Sequence, residues 1–236
     1  MELWPALQVF PGQERVLWSM KSFIKKQQFN YIKRCLFDLN NAFINCSDPN
    51  IINVSKSIAQ DKILSCFDKL SEAEKEILNI SKITTPLHID IYLNDLNIYV
   101  FGMENITKNQ LVKIFKKEKK LKIPNLDIKD KKLVYLGWID EATKKLLITY
   151  NLNGNLLGMS CRLTESKPNS SNICTLCNHI GNSAEVGFVS PICKPKNQDD
   201  YKSLGFYICL NSDECNERIT STEKLETLIK IVNRLD

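Results

Sequence analysis

Apolar residues recur at steps of three and four from Phe29 through Ile32, Leu36, Leu39 and Phe43, the single stripe of an amphipathic helix. Asp48-Pro49 then supplies a cap and a first-turn proline for a second helix, lined by Ala59, Ile63, Cys66, Phe67 and Leu70. Ser71-x-x-Glu74 is a capping box that opens a third, with Ala73, Ile77 and Ile80 expected inward. Thr85-Pro86 starts a fourth, striped by Ile89, Leu93, Leu96 and Val100 and stopped at Gly102. Short connections between antiparallel helices predict a four-helix bundle over residues 20–104.

Thr107-x-x-Gln110 can cap a further helix that turns Leu111, Ile114 and Phe115 inward, with Pro124 ending it. This segment, 105–124, is expected to connect two domains. Its other positions carry Lys113, Lys116, Lys117, Lys119, Lys120 and Lys122 against Glu118, the densest positive cluster in the chain. A solvated lysine face explains it, and so does a contact with RNA or an acidic protein.

Beyond residue 125 the period changes. Residues 133–139, 146–152 and 156–163 are β-rich, and Asn153-Gly154 joins the last two with a strong hairpin signal. Two further strands are expected at 185–192 and 206–209, before a last helix with Leu225, Leu228, Ile229 and Val232 on one face.

The chemistry in this half lies in two cysteine pairs, Cys174-x2-Cys177 and Cys209-x5-Cys215. Two intervening residues let a tight turn aim both thiolates at one point, and a second pair closes a tetrahedron suited to Zn²⁺. Four thiolates leave no open coordination position, so the metal is read as one structural zinc. Knuckle, hairpin and helix in that order form a treble clef over 125–236. The fold class is α+β, an amino-terminal four-helix bundle followed by an α/β treble-clef zinc-binding domain. Lys194, Lys196 and Lys202 are expected to offset the excess thiolate charge.

Three other uses of these residues compete. A redox Cys-x-x-Cys normally opens a helix after a strand, and it would leave the second pair unexplained. Catalytic zinc would need a free position and a base, for which Glu185 and His179 are the candidates. Ligand exchange could bring in Cys193 or His179, because the second pair is wide. His88 has no metal-ligating neighbour at helical spacing and is read as an ordinary surface or half-buried histidine.

Composition adds limits. The chain has 236 residues, 43% hydrophobic and 25% charged, an ordinary globular balance. No apolar run approaches the length of a membrane span. Five of the nine cysteines fall outside the two pairs without framework-like spacing, which points to a reducing cytoplasm. A net charge of +5 tolerates an acidic or RNA-rich partner without demanding one. Residues 1–19 hold two of the three tryptophans and no lysine, and are read as an extension ahead of a working start at Met20. No P-loop or nucleophile motif is evident to power hydrolysis, and the chain is expected to be non-enzymatic; it is also expected to be a monomer with no small-molecule substrate.

Ordered elements of the chain carry a resemblance. Gln28-Phe29-Asn30-Tyr31-Ile32, the run VKIFKKEKKLKIP at 112–124, Gly137-Trp138, Cys174-Thr175-Leu176-Cys177-Asn178, Tyr207-Ile208-Cys209 and Cys215-Asn216 occur in this order. Together they resemble the FusB-type family of fusidic acid resistance proteins, also called elongation factor G-binding proteins, from residue 20 to 236.

The resemblance implies a helical bundle plus a treble-clef zinc domain that binds elongation factor G and hastens its release from the ribosome. Fusidic acid blocks that release, so such a protein would protect translation without altering the drug. It also implies that Cys174, Cys177, Cys209 and Cys215 hold the zinc and that Tyr207 lies on the factor-binding face, with Phe206, Ile173, Leu228 and Lys202 as companion candidates. Departures accompany the match. Ile173 stands where resistance members have Phe, Ser203-Leu204-Gly205-Phe206 replaces a Lys-Lys-Gly-Asp run, and Leu225 and Leu228 replace aromatics. The alternative is a zinc-dependent RNA- or ribosome-binding module acting through the lysines at 113–122; direct RNA contact stays open at this point.

Overall fold

The computed structural model describes residues 21–126, 131–164, 170–193 and 204–235; the expected extension at 1–19 lies outside them. Strand β1 (Ile24–Lys25) leads into α1 (Lys26–Asn45), α2 (Pro49–Ser65), α3 (Glu72–Ile77) and α4 (Pro86–Leu96). The capping signals at Asp48 and Ser71 work as expected, whereas Thr85 makes no side-chain cap bond and Pro86 alone opens the fourth helix. Asp48 Oδ1 accepts from Asn50 N at 2.8 Å, and Ser71 Oγ accepts from Glu74 N at 3.3 Å while Glu74 Oε2 accepts from Ser71 N at 2.7 Å. Ile32, Leu36, Leu39, Ile63, Leu78, Ile80 and Leu96 fill the bundle core. Ala73 is exposed, because the third helix has only six residues and its inward contacts come from Leu78 and Ile80 just beyond it.

The fourth helix ends before Val100. A 3-10 turn at Asn97–Tyr99 leads into β2 (Val100–Phe101), which pairs in parallel with β1, Ile24 opposite Val100. Gly102 therefore does not stop a helix. A Cβ there would lie 2.4 Å from the backbone nitrogen of Leu133, so glycine permits the close approach that also lets Met103 N donate to Leu133 O at 2.7 Å.

Helix α5 (Lys108–Ile114) opens with the expected box, Thr107 N donating to Gln110 Oε1 at 2.8 Å, but is shorter than the sequence suggested. Lysines at spacings of three and four repel along a helix. Glu118 is instead drawn off the axis to Lys145 and Ser160, at 2.6 and 2.7 Å.

Strands β3 (Leu136–Asp140), β4 (Lys145–Leu152) and β5 (Asn155–Thr164) form a meander. A short excursion, β6 (Asn172–Ile173) and β7 (Ile180–Gly181), precedes β8 (Val186–Pro191) and β9 (Phe206–Cys209). The five long strands make one antiparallel sheet in the order β3-β4-β5-β8-β9. Asn153 and Gly154 both take positive φ, 52° and 83°, as a two-residue hairpin turn of the primed kind requires. Both faces of the sheet are covered, which explains the unbroken apolar run Leu146-Leu147-Ile148. Leu146 and Ile148 face the metal side with Met159 and Cys161, while Leu147 faces α5 with Leu111, Phe115 and Leu136. Gly158 lets α5 approach the sheet, since a Cβ there would fall 2.2 Å from Ile114 Cγ2. Gly158→Ala is expected to destabilise the protein by about 1–3 kcal/mol, read as a lower midpoint in urea with an unchanged slope.

The chain closes with α6 (Ser212–Arg218) and α7 (Glu223–Asn233), two helices where one was expected. Leu225, Leu228, Ile229 and Val232 line the buried face of α7 as their spacing indicated. Helix α6 also meets α1. Asn30 Nδ2 donates to the carbonyls of Asn216 and Ile219, at 2.7 and 2.8 Å, and Lys26 pairs with Glu217 at 2.7 Å. Asn30 thus satisfies two carbonyls at the end of α6 that the helix itself leaves without donors. Among the described residues no helix is long and apolar enough to cross a membrane.

Candidate metal centre and the face it supports

Cys174, Cys177, Cys209 and Cys215 converge, their sulfurs all within 4.8 Å of one another. Cys174 and Cys215 are 3.9 Å apart, and Cys177 and Cys209 are 3.5 Å apart. A tetrahedral Zn²⁺ with bonds of about 2.3 Å has ligand-to-ligand edges of about 3.8 Å, so the cluster fits one structural zinc. Three of the four cysteines are buried.

Local geometry explains the convergence. Strands β6 and β7 pinch the first pair into a knuckle, Ile173 opposite Ile180. Asn178 N donates to Cys174 O and Cys174 N to His179 O, both at 2.9 Å, with Asn178 at φ 59°. Asparagine tolerates that left-handed conformation better than most residues. Cys209 ends β9. Asn211 then caps α6 by accepting from Asp213 N and Glu214 N, at 3.0 and 3.3 Å, and the helix swings Cys215 back toward Cys174. The five-residue gap of the second pair is therefore a strand end plus one capped helical turn.

A buried thiolate needs a cation or donors. Thiol hydrogen bonds from Cys177, Cys209 and Cys215 hold the Cys174 sulfur far below the usual thiol range, and the resulting thiolate pushes Cys209 and Cys215 far up. Four thiols packed this closely thus cannot all ionise without a metal. Cys209 N donates to Cys174 Sγ at 3.4 Å, and Arg218 Nη1 approaches Cys209 Sγ at 3.8 Å. Burial, followed by the Cys215 sulfur beside it, pushes the Tyr135 phenol well above its usual range, keeping it a neutral neighbour of the cluster. Arg218 is the charge partner that sequence reading missed. Lys194, Lys196 and Lys202, expected in that part, lie outside the described residues.

The rival ligands are accounted for. His179 and Cys193 are not in the cluster. Glu185 Oε2 accepts from Asn182 N at 3.0 Å and so braces the turn before β8. Burial pushes Cys66 up to about 11 and raises Cys35 and Cys161 as well, so these remain thiols and pack as small apolar groups. His88 is half-buried at the start of α4, where its Nδ1 accepts from Thr84 N at 3.2 Å.

The companion residues separate into two groups. Ile173 is 57% exposed and Tyr207 38%, with Ile180 also exposed. Thr175 N donates to Tyr207 O at 2.8 Å, tying the knuckle to β9, and the Tyr207 ring packs edge-on against Phe188 at 5.2 Å. Phe206 and Leu228 are buried, at 7% and 8%. Strand alternation turns Phe206 and Ile208 inward when Tyr207 points out, and Leu228 lies on the buried stripe of α7. Neither is a surface anchor. Lys202 lies outside the described residues.

The comparisons with known proteins agree with this arrangement. Residues 23–104 match the family described as elongation factor G-binding protein, N-terminal, and residues 107–231 match its C-terminal treble-clef zinc finger. Among solved structures, the fold is similar to that of the fusidic acid resistance protein FusC, with a TM-score of 0.73 at 24% identity, covering 91% of this chain and 100% of that one. No curated protein sequence matches. Spanning both halves of that description, with the four zinc-finger cysteines gathered in one cluster, the chain belongs to the elongation factor G-binding protein family.

Proposed function

We propose that this protein binds elongation factor G through the zinc-supported face bearing Tyr207 and Ile173, and promotes the factor's release from the ribosome. The match of both halves to the elongation factor G-binding family carries this reading. The site is compatible with it. The knuckle presents exposed isoleucines beside the Tyr207 ring, and an aromatic ring of this kind is an anchor on which interface energy concentrates. Phe206 and Leu228 lie in the metal-side core. The bundle of 20–104 serves as scaffold, joined through 105–124 to the domain at 125–236.

Release requires no reaction at the metal. Binding that favours the freed conformation of the factor over the stalled one shifts the equilibrium, about tenfold for each 1.4 kcal/mol of preference. A chain acting in this way works as a cytoplasmic monomer and protects the drug's target without touching the drug. Fusidic acid resistance by target protection is the consequence we propose.

The test is capture of purified elongation factor G by the immobilised chain, followed by release of the factor from ribosomes stalled with fusidic acid. Tyr207→Ala is expected to weaken capture about tenfold or more and to slow release in parallel, with zinc content unchanged. Absence of capture at micromolar concentrations of both proteins would overturn the reading.

A further inference from the structure

We infer that the lysine-rich turn at 113–122 is a second contact surface, one that takes the phosphodiester backbone of RNA. Lys113, Lys116, Lys117, Lys119, Lys120 and Lys122 are all exposed, and among the described residues none forms an ion pair. The acidic side chain within the run is already engaged. Glu118 is half-buried and holds Lys145 and Ser160, at 2.6 and 2.7 Å. Burial alone would raise its carboxyl, but those two hydrogen bonds outweigh burial and hold it below the usual carboxylate range, so it stays ionised and anchored.

The anchoring gives the patch its form. Glu118 fastens the turn to β4 and β5 from below, while Phe115 and Leu121 pack into the sheet-side core. Trp138 Nε1 donates to Lys122 O at 2.9 Å and pins the far end. The lysines that flank Glu118 are thereby held outward on a fixed loop, around a depression lined by Lys117, Lys119, Lys120 and Thr143. Asp140, which also lines it, is buried and accepts from Ala142 N at 3.0 Å.

The chemistry of the patch favours phosphate over protein. Segment 113–122 contains no arginine and exposes no aromatic or large apolar side chain. Protein interfaces concentrate their energy in Trp, Tyr and Arg and are depleted in lysine. A row of lysine point charges without stacking groups suits sequence-independent contact with a phosphate backbone. RNA is named over DNA because the proposed partner acts on the ribosome, and to that extent the inference rests on the factor-binding reading. The two fail separately, because the test uses this chain alone.

The experiment follows fluorescence anisotropy of a labelled RNA stem-loop titrated with the zinc-loaded chain, from about 50 to about 200 mM potassium chloride. The native chain is expected to bind with a slope of log affinity against log salt of about −3 to −4, the release of counterions from four or more phosphates. The quadruple variant Lys116→Gln, Lys117→Gln, Lys119→Gln and Lys120→Gln should bind about tenfold or more weakly at the lower salt, with a slope near −1. The matching quadruple Arg variant should bind like the native chain, and Tyr207→Ala should leave RNA binding unchanged. A DNA stem-loop of the same sequence should bind no more tightly than the RNA. The inference is overturned by native RNA affinity and slope in the Gln variant, by no RNA binding at tens of micromolar protein, or by a preference for DNA. It is equally overturned if the Gln variant keeps RNA binding and loses elongation factor G, which would assign the lysines to an acidic protein surface.

Discussion

Replacing Cys215 with serine is expected to abolish zinc binding and, with it, the cooperative folding of residues 125–236. The sulfur is fully buried, 3.9 Å from Cys174, and is delivered by the first turns of α6. A structural zinc held by thiolates contributes about 10–16 kcal/mol in small domains, whereas a whole domain is stable by only about 5–15 kcal/mol. Strands β8 and β9, the knuckle and both terminal helices pack around the cluster, so its loss opens the centre of the core on that face of the sheet. Native protein should carry one zinc per chain, and Cys215→Ser nearly none, with a flattened near-ultraviolet circular dichroism signal. Chelation of the native protein should reproduce the effect, and acid should too, because ligand thiols must be deprotonated to hold the metal. Cys193→Ser supplies the contrast, since it lies outside the cluster and should keep both zinc and melting temperature. A Cys215→Ser protein that retains zinc and melts like the native chain would refute the assignment.

Asn216→Ala is expected to be the most damaging substitution that leaves every zinc ligand in place. The side chain is 1% exposed and fully engaged. Its Oδ1 accepts from Val134 N and Tyr135 N, at 2.6 and 3.1 Å, and its Nδ2 donates to Tyr135 O and Ser212 O, at 3.0 and 2.8 Å. Truncation strands three buried backbone groups near β3, and each unsatisfied group costs about 1–3 kcal/mol. With some relaxation the loss should total about 3–5 kcal/mol. For a chain of this size that lowers the melting temperature by roughly 6–20 °C. Differential scanning calorimetry with parallel zinc analysis checks it. The prediction fails if Asn216→Ala melts within about 2 °C of the native protein.

These two sites show what a single sequence can and cannot disclose. Local chemistry was legible. Capping residues Asp48, Ser71 and Thr107 make the bonds their spacing implied, Asn153-Gly154 turns as such pairs do, and two cysteine pairs find one another. Alternation along β9 was legible too, but not which way it faced. That is why Phe206 and Tyr207 looked equally available when only Tyr207 reaches solvent.

Long-range polar pairing left no such trace. Asn30 and Asn216 are 186 residues apart, and nothing about an isolated asparagine marks it as a junction except its place inside an apolar helical stripe. The parallel pairing of β1 and β2, two residues each, is too short to raise a period. The lysine run was overread as helix because spacing alone ignores like-charge repulsion and the pull of Lys145 and Ser160 on Glu118. Arg218 near the Cys209 sulfur is visible only in space, although a basic residue three positions after the last ligand is a usable hint.

If a zinc-held knuckle grips elongation factor G, an exposed side chain beside the metal ligands should carry part of the affinity. Calorimetric titration of the factor into the native chain and into Ile173→Asp tests it most directly, because Ile173 is 57% exposed and neighbours a ligand without being one. The native chain should bind measurably and the variant about tenfold or more weakly, at equal zinc content and melting temperature. Equal affinity of the two proteins, or no heat of binding from either at tens of micromolar, would contradict it.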